Sequence, residues 1–442
     1  MSTVKEELFG FFDRLGQDHR LFRFLYNLNA QDFRPGVDAV YYSGPYWDKE
    51  ELAAMMEALL TGRWLTSGEH VYHFERAFSS RFNQGHSVMV NSGSSANLVM
   101  VAALKRHFDW QDGDEVILSV VGFPTTVAPL VQNGLVPKFV DIRLSDLNFD
   151  LDGVEAAIGP RTRGIFVSPV LGNPPDMTRL KALCTERGLQ LVLDDCDSLG
   201  SKWDGLLLSD YAVASSCSFY PAHHLCTGEG GMVSSNLEEV VTIARSLAWW
   251  GRDCYCVGPA NLLPNGTCGK RFDRWLPDDD CVIDHKYLFT QMGYNLKPLD
   301  MQGAVGLVQL GKVDEIHRLR RENKAKIEAM FQRHVPEARV IVEDERAETS
   351  WFGVPIHCAD KSLKQHLVAF LEANKIQTRN YFAGNILSHP AYAHLGRADD
   401  FPLAQRVLAE VFFVGCTPTY NAAMLAHIDE TLSRFEGSLR VV

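Results

Sequence analysis

The stretch 176–195, DMTRLKALCTERGLQLVLDD, holds the step on which the fold turns. Asp176 can cap a helix start and Gly188 can stop it, so a helix of ordinary length ends just before the β-rich run LQLVLDD. Three more such runs, EVILSV from Glu115, VPKFVDI from Val136 and GIFVSPV from Gly164, precede it with helical stretches between. This βα alternation predicts a parallel sheet. Open α/β sheets bind ligands at the carboxyl ends of their strands, so the residues just after each run are the ones to inspect.

After Leu299 the pattern becomes one long helix, MQGAVGLVQLGKVDEIHRLRRENKAKIEAMFQRH. Strands near Ile341 and Gly353 then alternate with helices, which predicts a smaller C-terminal α/β domain of about 110 residues. The expected divisions are an amphipathic helical arm over 1–40, a large α/β domain over 41–300, and a connecting helix with the small domain over 301–442.

A chain of 442 residues can bury two or three packed subdomains. Its formal charge of −12 argues against nucleic acid or an acidic membrane as a bulk partner. No apolar run approaches the roughly 18 residues of a membrane span, and the start MSTVKEELFGFFDRLGQDHR lacks the apolar core of a signal peptide. A cytoplasmic location is expected. There the ten cysteines stay reduced, as buried thiols or metal ligands.

Candidate site residues follow the strands. NSGSSAN, 91–97, sets Gly93, Ser94 and Ser95 ahead of the helix LVMVAALKRHF, where amides and hydroxyls can hold a phosphate. The same residues also read as a serine-rich helix cap. Phe123 can be core or can lie flat against a planar ligand. LQLVLDD runs out into Asp194, Asp195, Cys196 and Asp197, and three carboxylates in four residues at a strand end favour a functional role. The stretch SFYPAHHLCTGEGG, Ser218 to Gly231, reads as a strand end entering a glycine-rich turn that carries His223 and His224.

Together these features resemble the DegT/DnrJ/EryC1/StrS sugar aminotransferase family, a branch of the fold-type I pyridoxal-phosphate enzymes, from about Val40 to the end. The resemblance implies a large domain with a mostly parallel sheet of the seven-stranded type. It sets Gly93, Ser94, Ser95 and Ser218 near the cofactor phosphate, Phe123 on the pyridine ring, Asp194 against the ring nitrogen and Asp197 beside the cofactor. GYNLKPLDMQGA looks like the family's dimer-crossing loop, which implies a homodimer in which Asn295 reaches the neighbouring subunit's phosphate. The family's Schiff-base lysine position holds His223 in this chain. Imidazole cannot form that bond, so the expected cofactor is noncovalent pyridoxamine 5′-phosphate, with His223 moving a proton. His224 is expected to pack or to hydrogen-bond.

SFYPAHH further resembles the nucleotide-sugar 3-dehydratases that branch from this family. One kind, acting on a GDP sugar, uses pyridoxamine phosphate alone and takes its amino group from glutamate. The other, of the CDP-4-keto-6-deoxyglucose type, adds a 2Fe-2S cluster and a partner reductase. The second kind's ligand pattern is matched by Cys196, Cys254, Cys256 and Cys268, although eleven residues separate the last two, a longer spacer than that kind has. Cys281 is an alternate ligand. Four thiolates also suit zinc, and the resemblance tips the choice to iron-sulfur. Cys184, Cys217, Cys226, Cys358 and Cys416 are expected as buried thiols.

The expected function is an NDP-4-keto-6-deoxyhexose 3-dehydrase removing the C3 hydroxyl, fed electrons by an NADH-dependent iron-sulfur flavin reductase or a similar donor. The alternatives are the cluster-independent dehydratase and a sugar aminotransferase. TRNYFAGN resembles the group's sugar-nucleotide loop, so Arg379 and Asn385 join Tyr220 as candidate substrate contacts.

Overall fold

Asp176 caps its helix as its position predicts, accepting from the Arg179 amide at 2.9 Å, and Gly188 ends that helix in left-handed backbone at φ 65°. In the computed structural model, which describes residues 3–15, 33–62, 64–254, 268–273, 276 and 281–438, this helix is one of a regular series. The chain begins with α1 (Val4–Leu15), α2 (Lys49–Thr61) and α3 (Glu69–Arg81). There follow β1 (His86–Val90), α4 (Gly93–His107), β2 (Glu115–Ser119), α5 (Pro124–Gln132), β3 (Val136–Val140), α6 (Leu151–Ala157), β4 (Thr162–Val167), α7 (Met177–Arg187) and β5 (Gln190–Asp194). A short hairpin, β6 (Lys202–Trp203) and β7 (Leu206–Leu207), leads through α8 (Leu208–Tyr211) to β8 (Ala214–Ser218), β9 (Gly231–Ser235) and α9 (Glu238–Ala248).

The central sheet has seven strands in the order β1-β9-β8-β5-β4-β2-β3. All pair in parallel except β9, which runs antiparallel to both neighbours. Sequence periodicity did not separate β9, because it is joined to β8 by a loop and not by a crossover helix. Successive residues point to opposite faces and both faces are covered, so the strands read as continuous apolar runs. Phe166 and Val192 pack with α4, α5 and α9, while Ile165, Val167, Leu191 and Leu193 pack with α6 and α7.

The 35-residue helix α10 (Asp300–His334) crosses to the second sheet. That part contains β10 (Ala338–Val340), β11 (Ala347–Glu348), β12 (Gly353–Cys358), α11 (Lys361–Ala373), β13 (Thr378–Asn380), α12 (Pro402–Glu410), β14 (Val411–Gly415) and α13 (Ala422–Ser438). Its four strands are antiparallel in the order β10-β12-β14-β13, with β11 paired instead to the β6 hairpin. Among the described residues no helix is long and apolar enough to cross a membrane.

Candidate active site

The carboxyl ends of β1, β2, β4, β5 and β8 open onto one cavity of about 320 Å³. Gly93, Ser94, Phe123, Asp194, Cys196, Asp197, Ser218, Tyr220 and His223 all line it, so most of the residues chosen along the sequence converge. None of its lining residues is a lysine.

One wall is the N-terminus of α4. Ser92 caps that helix, accepting from the Ser95 amide at 3.1 Å, so Ser95 serves the cap and is not part of the lining. A Cβ on Gly93 would stand 2.4 Å from the Ser218 Cβ and 3.1 Å from the Cys196 Sγ. Gly93 thus leaves no room for a side chain, and its lack of one lets the N-terminus of α4, whose first amides have no partner within the helix, stand in the cavity wall, the arrangement that suits a phosphate.

Asp194, the last residue of β5, is fixed from three directions. Its Oδ2 accepts from the Asn97 amide at 2.8 Å and the Thr126 hydroxyl at 2.7 Å, and its Oδ1 from the Cys196 backbone at 3.3 Å. No ion pair consumes the carboxylate, which leaves it able to receive a ring N–H from the cavity side. Phe123, half exposed, stands on the mouth with Phe352 and Phe382 from the second sheet. Donor cradle, fixed carboxylate and aromatic cover fit a phosphorylated pyridine.

His223 lies on the turn after β8. Its Nδ1 is 3.6 Å from the Asp197 Oδ1, and its ring is 5.2 Å from that of Phe352. Burial first, and then the Arg320 charge, pushes the imidazole down to about 4. Asp197 is pushed up to about 7 by burial, against the pull of the Leu171 amide that donates to it. Asp195 turns away to Ser198, and burial raises it to about 8.

Other candidates fall elsewhere. His224 is buried against His317, ring to ring at 5.3 Å, which is the packing role expected of it. Asn295 is exposed, pairs with Trp249 and does not line the cavity of its own chain. The Arg379 guanidinium lies 4.2 Å over the ring of Tyr42, at an adjoining pocket that Phe123, Phe352 and Phe382 share. Asn385 is fully buried with both polar ends engaged, its Nδ2 donating to Ala398 and its Oδ1 accepting from Leu387. It caps a turn and is not placed to touch a sugar.

Cys196 stands in the cavity wall, its thiol raised well above the ordinary range by burial. Cys254 is buried, Cys268 and Cys281 are exposed, and Cys256 lies outside the described residues. Among the described residues no group of three or more His, Cys, Asp or Glu side chains is arranged to hold a metal. Cys196, Cys254 and Cys268, the described members of the four-cysteine set, do not form such a group. Cys184, Cys217, Cys226, Cys358 and Cys416 are buried as expected.

Sequence reasoning missed Asn97, Thr126, Tyr42, Ser168, Phe352 and Phe382. Asn97 lies inside NSGSSAN, already singled out, and Thr126 lies three residues beyond Phe123; both hold Asp194 from there. Phe382 lies inside TRNYFAGN, already singled out, while Tyr42 and Phe352 carry no local signal and reach the cavity only through tertiary packing.

A sequence model described as the DegT/DnrJ/EryC1/StrS aminotransferase family matches residues 46–433. The chain is 38% identical over 411 residues to the dTDP-4-dehydro-2,6-dideoxy-D-glucose 3-dehydratase of Saccharopolyspora spinosa, covering 91% of this chain and 88% of that one. It is 36% identical over 417 residues to the lipopolysaccharide biosynthesis protein RfbH of Salmonella typhimurium, covering 92% and 94%. Among solved structures, the E. coli GDP-4-keto-6-deoxy-D-mannose-3-dehydratase with bound hydrated PLP superposes with a TM-score of 0.78 at 28% identity, over 89% of this chain and 100% of that one.

Proposed function

The chain belongs to the DegT/DnrJ/EryC1/StrS aminotransferase family, and from that premise we propose that it is a 3-dehydratase of a nucleotide-linked 4-keto-6-deoxyhexose. In this reading pyridoxamine 5′-phosphate is bound without a covalent link. The observation that carries it is a cavity of about 320 Å³ lined by Gly93, Phe123, Asp194 and Ser218, with a histidine and no lysine in its lining. The named 3-dehydratases among its relatives support the same class of substrate.

Gly93, Ser94 and Ser218 hold the cofactor phosphate, Phe123 covers the ring, and Asp194 accepts the ring N–H. Bound there, the cofactor supplies an amine that condenses with the C4 ketone and a ring that takes up electrons when its C4′ carbon loses a proton. Burial keeps His223 neutral near pH 7, so it enters the reaction as a base and leaves it carrying the proton. That proton is then available to the departing C3 hydroxyl. Asp197, within 3.6 Å, balances the imidazolium while it lasts. Tyr220, exposed at the mouth, and Arg379 with Tyr42 flank the space left for the hexose and its diphosphate. The amine nitrogen would leave as ammonia when water releases the deoxygenated ketone, and an amino-acid donor such as glutamate would replace it, departing as its 2-oxo acid. A homodimer completes the reading, with exposed Asn295 turned toward the partner's site.

A second reading adds a 2Fe-2S cluster on Cys196, Cys254, Cys256 and Cys268, with a reductase as partner. Cys196 in the cavity wall favours it. As placed, the described cysteines do not fit a cluster, and no step is derived through one.

The test is a panel of CDP-, dTDP- and GDP-linked 4-keto-6-deoxy sugars offered with pyridoxamine phosphate and glutamate to anaerobically purified protein, with iron measured alongside. Loss of the C3 hydroxyl by iron-free protein supports the first reading. Iron bound to the protein and an absolute need for a reductase would replace it with the second. No C3 chemistry on any sugar overturns both.

A further inference from the structure

The least expected buried group in the molecule is Arg320, on α10 and only 1% exposed. A buried guanidinium normally faces a carboxylate, because desolvation of the charge is costly. Arg320 instead donates to four backbone carbonyls. Its Nη2 reaches Ala222 at 3.1 Å and His223 at 3.2 Å, and its Nη1 reaches Trp351 at 3.3 Å and Phe352 at 3.0 Å.

Those four carbonyls belong to two segments of different origin. Ala222 and His223 form the turn after β8, while Trp351 and Phe352 lead into β12 of the second sheet. The Phe352 ring then packs on the His223 ring. One planar fork therefore spans the two walls that hold the imidazole.

We propose that Arg320 is the positioning residue for proton transfer, locking the His223 turn to the Phe352 segment so that the imidazole stands between Asp197 and the cavity. The inference rests on the reading of His223 as proton carrier. It also accounts for keeping a charge where four carbonyl contacts alone could be met by a neutral group. The guanidinium lowers the imidazole's proton affinity and steadies the anion of Asp197. The other groups facing His223 are Asp194 and Cys196 beside Asp197, and Tyr220 and His224 on its own turn.

Arg320→Lys keeps the charge and loses the fork, and Arg320→Gln loses both. Three measurements apply to each: pyridoxamine phosphate affinity, deuterium wash-in at its C4′ carbon with a nucleotide-linked 4-keto-6-deoxy sugar present, and the titration midpoint of the His223 imidazole by NMR in cofactor-free protein. His223→Asn assigns that resonance. In Arg320→Lys we expect wash-in slower by about 100-fold, the cost of a misplaced group of this kind, with affinity and midpoint unchanged. In Arg320→Gln we expect the same loss and a midpoint moved upward. A merely structural role would slow wash-in only in step with lost affinity or melting temperature. Parental wash-in in a folded Arg320→Lys protein overturns the proposal, and this variant decides alone if Arg320→Gln does not fold. Undiminished wash-in in His223→Asn would instead sink the assignment of His223 itself.

Discussion

His223 and Asp197 face each other at 3.6 Å across the floor of the cavity, one pushed down to about 4 and the other up to about 7. Near neutral pH the imidazole is thus uncharged while the carboxyl is partly ionised. Proton uptake by His223 is easiest once Asp197 is an anion, so C4′ wash-in should rise as pH passes through about 7. Asp197→Asn should flatten this limb and slow exchange by about 100-fold, the lower range for a proton-transfer partner. A pH profile from 5.5 to 8.5 on both proteins reads the effect. An identical limb in Asp197→Asn would assign it elsewhere.

The βα alternation and the strand-end carboxylates were legible because a doubly covered parallel sheet demands apolar strands, and its ligands must sit where those strands stop. Asp194, Ser218 and His223 could be found this way. Arg320 and Phe352 could not, since each meets the His223 turn from about 100 residues away or more and nothing in the local pattern announces it. Asn385 shows the converse. Its place in TRNYFAGN suggested a ligand contact, but the backbone consumes both ends. Cysteine spacing likewise records what could ligate, and convergence is a matter of tertiary placement.

Gly93 offers a direct test of the phosphate cradle. A methyl group there meets Ser218 at 2.4 Å inside a wall that cannot retreat, because Ser218 is paired into the sheet beside Gly231. Overpacking of this kind costs about 1–3 kcal/mol, so Gly93→Ala should weaken pyridoxamine phosphate binding by about 10- to 100-fold. Equilibrium titration of cofactor absorbance measures it. Unchanged affinity in the variant would move the phosphate site away from α4.

Three imidazoles are buried uncharged: His223, His224 and His317, the last pushed down to about 3 by burial. Between their ordinary and native values the unfolded chain binds more protons than the folded one, so their contribution to stability falls as pH falls below about 6.5. Asp195 and Asp197 act in the opposite sense. Raised to about 8 and about 7, they favour the folded state more at pH 5 than at pH 7. The two sets of groups oppose each other in that window. Removing one histidine should unbalance them. His317→Asn is expected to gain about 2 kcal/mol at pH 5 relative to its own stability at pH 7, compared with the parent. Denaturant unfolding at the two pH values checks this, and the cavity cost of the substitution drops out of the difference. Equal pH responses in the two proteins would mean that His317 is not buried neutral.

The absence of a lysine from the cavity lining makes its own prediction about bonding. Borohydride treatment of the protein loaded with pyridoxal phosphate should leave no cofactor covalently attached, because among the described residues no lysine lines the cavity. His223→Lys supplies one. The side chain starts from the same turn, on the cavity floor next to Asp197, and burial there lowers an ammonium pKa, which frees the amine to react. The variant should therefore retain the cofactor through denaturation after reduction, with mass spectrometry placing the added mass on the peptide containing residue 223. A trapped adduct in the parent protein, at any lysine, would show that an amine does reach the cofactor and would overturn the noncovalent reading. Failure of the variant to trap, with cofactor affinity intact, would mean that residue 223 does not face the aldehyde carbon.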